Sequence, residues 1–184
     1  MSLTLIKEDG TGKTDANSYA DVADGDAYHA GHLYATAWTA ATTEKKTAAL
    51  VMASRVIDAE YQFGGVKTLD SQALLWPRYR CLDPDRDPMV RVGRLTIWEN
   101  WLPENLVPKN VVAATCELAR ELIIVDRTAA PAGEGLKYYN DAGKQTGYDK
   151  TDTRPVIPPM VQALLARYGT LIKSKSGAVP LIRV

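Results

Sequence analysis

Cysteine is scarce in this chain: two in 184 residues, Cys81 and Cys116. They are far apart, so neither a zinc-ligand pair nor a disulfide framework is indicated. Net charge is absent too, with Lys plus Arg and Asp plus Glu both at 22. A protein whose main task is to grip nucleic acid generally shows a basic excess, so the balance weighs against that class but allows a local patch. It also leaves little repulsion to oppose self-association. No window approaches the roughly 20 apolar residues that span a bilayer, so no membrane partner is expected. The first residues reach Lys7 and Glu8 after a short apolar run, unlike a secretory leader. Reactive signatures are missing: no glycine-flanked serine and no Cys–His motif. The expectation is a non-enzyme without cofactor or metal, made in a reducing cytoplasm.

What is present is helical. With 46% hydrophobic and 24% charged residues, the chain can bury the core of one domain, residues 1–184. The stretch Val107–Arg127 organises it. Val112, Cys116, Ala119 and Ile123 recur at spacings of three and four. Val111, Thr115, Leu118 and Leu122 widen that stripe, leaving Glu117, Arg120, Glu121 and Arg127 for the other side. So apolar a helix needs cover from other elements, and Cys116 on it reads as a buried thiol.

Asp21–Gly31 reads as a first helix, with Asp21 as N-cap and Asp24 completing a capping box. Thr42 caps a second, from about Thr43 to Tyr61, stopped at Phe63–Gly65 by a glycine in the left-handed region. On it Leu50, Ala53 and Ile57 face inward, while Arg55, Asp58 and Glu60 are solvated. Pro158–Pro159 open a last helix that Gly169 closes. Leu3–Ile6 reads as a strand or extended arm. Trp38 and Trp76 read as core residues. Leu136–Asn140 and Lys144–Asp149 are set to pair around Asp141-Ala142-Gly143. The fold class expected is mainly α: a small helical bundle with a β-hairpin excursion and extended N- and C-terminal arms. Its loose pieces are an irregular insert at about 79–106, the hairpin region at about 130–153 and an arm at 174–184.

Three motifs fall short. Gly10–Thr14, GTGKT, resembles the end of a phosphate-binding loop, but Lys7 stands where the first glycine belongs; the remaining reading is a flexible turn. Asp83, Asp85 and Asp87 alternate as in a calcium loop, but Pro88 occupies the glycine position. His29 and His32 are one turn apart and lack a third ligand. The insert is richer. Arg78, Arg80, Arg86, Arg91 and Arg94, with Tyr79, Trp98 and Trp101, suit either nucleic-acid stacking or a protein interface. Tyr138, Tyr139 and Tyr148 of the hairpin and the apolar Pro180, Leu181, Ile182, Arg183 and Val184 are candidates for partner binding.

Several segments, in order, carry a family resemblance. They are EDGTGKTDANSY (Glu8–Tyr19), DVADGDAYHA (Asp21–Ala30), TAALVMASRVIDAEY (Thr47–Tyr61), QALLWPR (Gln72–Arg78) and VPKNVVAATCELA (Val107–Ala119). Together they resemble the tailed-phage head–tail connector, or neck adaptor, proteins, whose members are also labelled DnaT-like single-stranded-DNA-binding proteins. The resemblance implies a structural virion protein with no catalytic residues. It would form a homo-oligomeric ring, commonly of twelve copies, between the portal protein and a tail or tail-terminator protein. Genomic DNA would pass through the lumen without sequence-specific binding. The protein would be made in the host bacterial cytoplasm and reside at the portal vertex. The alternative label implies a single-stranded-DNA-binding replication or packaging factor.

Overall fold

The computed structural model describes residues 3–85, 90–92, 95–97, 100–129, 138–141, 144–147 and 154–172; side chains are described for 3–85, 100–129 and 154–172. Among the described residues five helices run in chain order: α1 (Val22–Ala30), α2 (Thr36–Thr39), α3 (Thr43–Glu60), α4 (Lys109–Ile124) and α5 (Pro159–Leu165). Four antiparallel strand pairs accompany them. β1 (Tyr61–Phe63) pairs with β8 (Gly169–Leu171), and β2 (Val66–Lys67) with β3 (Arg78–Tyr79). β4 (Val90–Val92) pairs with β5 (Leu95–Ile97), and β6 (Tyr138–Asp141) with β7 (Lys144–Gly147). The mainly helical class and the hairpin expected from Asp141-Ala142-Gly143 are both found.

Helix starts follow local chemistry. Asp21 caps α1 in a complete capping box with Asp24, and the Thr42 hydroxyl accepts from the Lys45 amide at 3.3 Å. α1 ends at Gly31 as expected, but α3 and α5 do not end at their glycines. α3 stops at Glu60 because Tyr61 turns extended and enters β1; Gly65, at φ +70°, serves the turn beyond it. α5 likewise ends at Leu165, and Gly169 opens β8. There a Cβ would stand 2.4 Å from the Gln62 carbonyl oxygen, so strand pairing, not capping, requires that glycine. Leu3–Ile6 forms no named strand; the arm is tied by the Lys7–Ser18 bridge and by the Asn17 side chain, which accepts from the Ile6 amide at 2.8 Å.

α4 packs on α3, α5, α1 and α2. Val111, Ala114, Cys116, Leu118 and Ala119 are fully buried on it. Against expectation, Glu117 and Arg120 are buried with them, at 4% and 9% exposed. The physical reason is that α1, α2 and the loop between them cover that side. The two charges travel as a pair at 2.6 Å, with Arg120 also on Glu121 at 2.8 Å and near the Tyr34 carbonyl at 3.4 Å. Trp38 and Trp76 are core residues, as expected.

Asp58 is the second correction, because it is not solvated. The Tyr19 hydroxyl donates a short hydrogen bond to one of its oxygens, and the Leu75 amide donates to the other at 3.1 Å. The Leu75 and Trp76 amides also donate to the Tyr19 oxygen. This knot ties α3 to the Leu74–Pro77 segment, whose extended backbone would otherwise leave buried N–H groups unpaired.

Burial pushes the Asp58 carboxyl up to about 6, against the hydrogen bonds from Tyr19 and Leu75. Its folded value exceeds its unfolded one, so between pH 4 and 6 the native state holds the extra proton. This group therefore costs stability as pH rises through about 6, by no more than about 3 kcal/mol. Asn keeps one of the two acceptor oxygens without the charge, a loss that does not vary with pH. Urea unfolding from pH 4.5 to 7.5 should show wild type losing stability relative to Asp58→Asn as pH rises. A constant difference across that range would refute the assignment.

Candidate nucleic-acid interface

The glycine-rich turn at the N-terminus is already occupied by an anion. Glu8 is 1% exposed. Its Oε1 accepts from the Gly10 and Gly12 amides, each at 2.9 Å, and its Oε2 from the Lys13 amide at 2.8 Å. Gly10 and Gly12 have φ of +101° and +73°, which aims successive N–H groups inward as in an anion-binding nest. Lys13 is spent on Asp9 at 2.8 Å and the Lys7 carbonyl at 3.1 Å. The loop is therefore a stapled turn, not the flexible one expected, and its phosphate position is filled from within the chain.

The thiols and imidazoles offer no reactive centre. Burial pushes Cys116 up to about 12 and raises Cys81. His29 Nε2 sits 3.1 Å from the Cys116 carbonyl, and burial lowers its affinity for a proton. His32 Nε2 lies 3.7 Å from Glu117. Among the described residues no three His, Cys, Asp or Glu side chains are grouped to hold a metal.

The surface that gathers aromatic and cationic groups lies beside the β2–β3 pair. Arg78 is its scaffold. Its guanidinium donates to the carbonyls of Gly64 at 2.6 Å, Gly65 at 2.7 Å, Leu75 at 3.0 Å and Phe63 at 3.3 Å. That corrects the reading of Arg78 as a ligand contact: its donors are consumed by the β1–β2 turn. Gly65 is obligatory there, because a Cβ would lie 2.3 Å from the Tyr79 carbonyl oxygen. Arg80 follows at φ +56°, a left-handed backbone rare for a non-glycine residue, and its guanidinium lies 5.2 Å from the Tyr79 ring centre.

The insert leaves and returns at one point. Leu82 and Trp101 form an antiparallel bridge, the Leu102 amide donates to the Cys81 carbonyl at 2.8 Å, and the Asp83 amide to Asn100 at 2.6 Å. This closure sets Trp101, 37% exposed, at the rim of a shallow pocket of about 250 Å³. Arg80, Leu82, Arg167 and Tyr168 complete the rim, over a floor of Gly64 and Gly65. Tyr168 is braced edge-on by buried Trp76 at 5.9 Å. Tyr79, 42% exposed, flanks it. Arg167 is held at 2.8 Å by Asp85, so acid accompanies the cations here.

Of the residues singled out in the sequence, Trp101, Tyr79 and Arg80 meet at this surface. Tyr138 and Tyr139 lie in β6. Trp98, Tyr148 and Pro180–Val184 fall outside the described residues, as do the side chains of Arg86, Arg91 and Arg94. Arg167 and Tyr168 were missed. No local motif marks them; only the pairing of β8 with β1 carries the end of α5 to the β1–β2 turn.

Residues 3–183 match the family described as "Putative DnaT-like ssDNA binding protein". The chain belongs to that family. The description fits the second of the two functions implied by the resemblance better than the first, and it says nothing of a phage neck, a ring or twelve copies. No curated relative and no solved structure gives a significant match.

The nest around Glu8 has a measurable consequence. Glu8→Ala strands three inward-facing N–H groups and should cost about 2–4 kcal/mol in chemical denaturation. An unchanged midpoint would show that the turn holds itself without the carboxylate.

Proposed function

We propose that this chain contacts single-stranded DNA weakly and without sequence preference, as one subunit of a larger assembly. The observation that carries the first half is one shallow pocket lined by exposed Trp101, half-buried Tyr168 and Arg80, whose guanidinium lies over the exposed Tyr79 ring. Aromatic faces accept any base by stacking, and an adjacent guanidinium attracts phosphate. The family description supports this reading.

The second half follows from the charge balance. Lys7 pairs with Asp24 at 2.5 Å and Asp21 at 3.4 Å, Lys46 with Asp26 at 2.7 Å, and Arg127 with Glu121 at 3.0 Å. Cations already matched to acids release few counterions on meeting DNA, so one copy binds poorly. Weak sites become effective when many copies present them together.

The second reading is the head–tail connector itself: a ring at the portal vertex of a virion, touching portal and tail proteins, with DNA in its lumen. Besides the resemblance, exposed apolar residues support it. Leu33 is 91% and Tyr34 75% exposed, beside the α4 end where Ile124 is 55% exposed. Such residues at one end of a rigid body suit head-to-tail packing between copies. In this reading too no catalytic step is assigned.

Anisotropy with a labelled thymidine oligonucleotide tests the first reading. Binding should be weak at low salt, fall steeply as salt rises, and weaken roughly tenfold in Trp101→Ala or Arg80→Ala. Salt-independent binding, or wild-type affinity in both variants, would remove the pocket from consideration. Light scattering on the same samples reads assembly: large particles without DNA affinity favour the connector, a small species with salt-sensitive affinity favours the DNA-binding factor.

A further inference from the structure

The outer face of α3 carries an apolar groove of about 630 Å³. Val51, Met52 and Val56 form its floor, with Leu3 on one side and Thr128 and Val156 on the other. Met52 is 36% and Leu3 49% exposed. Arg55 and Glu60 supply charged side chains to its lining. A groove of this kind on a chain with no net charge is a liability unless something covers it.

We infer that Ala178–Val184 of the same chain lies in this groove. The described chain arrives at its mouth: β8 runs antiparallel to β1, and the Ile172 amide donates to the carbonyl of Glu60, a groove residue, at 2.7 Å. The backbone at Ile172 is therefore heading back toward α3. Residues 173–177, KSKSG, are a polar spacer of about 16 Å when extended. Residues 178–184, AVPLIRV, are apolar but for Arg183, and Pro180 favours an extended course over a helix. Extended, they cover about 23 Å, against about 18 Å of α3 between Ala48 and Glu60. Arg183 finds an acid in Glu60.

Thr128 and Val156 also line the groove, and residues 130–137 and 148–153 are near them in sequence. They read APAGEGLK and YDKTDT, too polar and small to cover it. Arg127 further ties their base together through the Pro155 and Val156 carbonyls at 3.0 and 3.1 Å. A spacer this short gives the tethered segment an effective concentration on the order of millimolar, above that of any second copy in dilute solution. The segment thus serves its own subunit in the isolated protein, a different role from the between-protein contact expected from sequence. The inference does not depend on the nucleic-acid reading.

The test uses the full chain and a fluorescein-labelled peptide of residues 177–184. Leu181→Asp/Ile182→Asp should free the groove and bind the peptide at least about tenfold more tightly than wild type. Adding Met52→Asp should abolish that binding while far-UV dichroism stays helical. Separately, Ile182→Cys combined with Met52→Cys or Val56→Cys should give an intramolecular disulfide under mild oxidation, since Cys81 and Cys116 are buried. Equal peptide affinity in wild type and variant, peptide binding that survives Met52→Asp, a ladder of linked copies, or no crosslink in either cysteine pair would each overturn the inference.

Discussion

A helix that is apolar on most of its circumference must be covered on most of its circumference. α4 imposes that condition, and the chain meets it with α3, α5, α1 and the four-residue α2. The cover is thick enough that Glu117 and Arg120 are enclosed with it, and they survive burial only as a mutual pair. Everything peripheral hangs from this packed centre. The end of α3 fixes β1, β1 recruits β8 from beyond α5, and that pairing in turn builds the turn that Arg78 locks.

Polar groups inside the body are largely satisfied by the body. Glu8 fills its own glycine nest, Arg78 caps four carbonyls, and Asp58 with Tyr19 holds the amides of a segment that is neither helix nor strand. Each is a group that, seen in the sequence, could have been reserved for a ligand. Because a buried charge without a partner is so costly, a chain that encloses one must spend neighbouring donors or acceptors on it. The polar and aromatic chemistry not spent in this way is therefore at the margin, around Arg80 and Trp101.

The margin around Arg80 is also where the backbone is least ordinary. A left-handed arginine, a glycine pressed against the Tyr79 carbonyl and a closed chain crossing at Leu82–Trp101 stand within a few residues. Tyr79 and Trp101, on either side of these features, are exposed at 42% and 37%. The acids at Asp83 and Asp85 keep the field here modest.

Much of the helical frame was legible in the sequence, because periodicity and N-terminal capping are local. The Asp21–Asp24 box, the Thr42 cap, the apolar face of α4 and the Asp141-Ala142-Gly143 hairpin depend on residues within a few positions of one another. Helix ends were misjudged where a strand intervened: Gly65 and Gly169 look like caps, yet Gly65 serves the turn packed against Tyr79, and Gly169 the pairing of β8 with β1, about a hundred residues away. The solvated reading of Asp58 and Glu117 failed for the same reason, since which side of a helix meets water is settled by what packs there. About half of the candidate site, Tyr79, Arg80 and Trp101, was visible as an arginine- and aromatic-rich run. Arg167 and Tyr168 were not, because only tertiary pairing brings them to it. Sequence by itself determined where helices begin and which residues are apolar; the tertiary structure alone decided which charges are consumed internally and which remain for others, because burial is a property of neighbours far away in the chain.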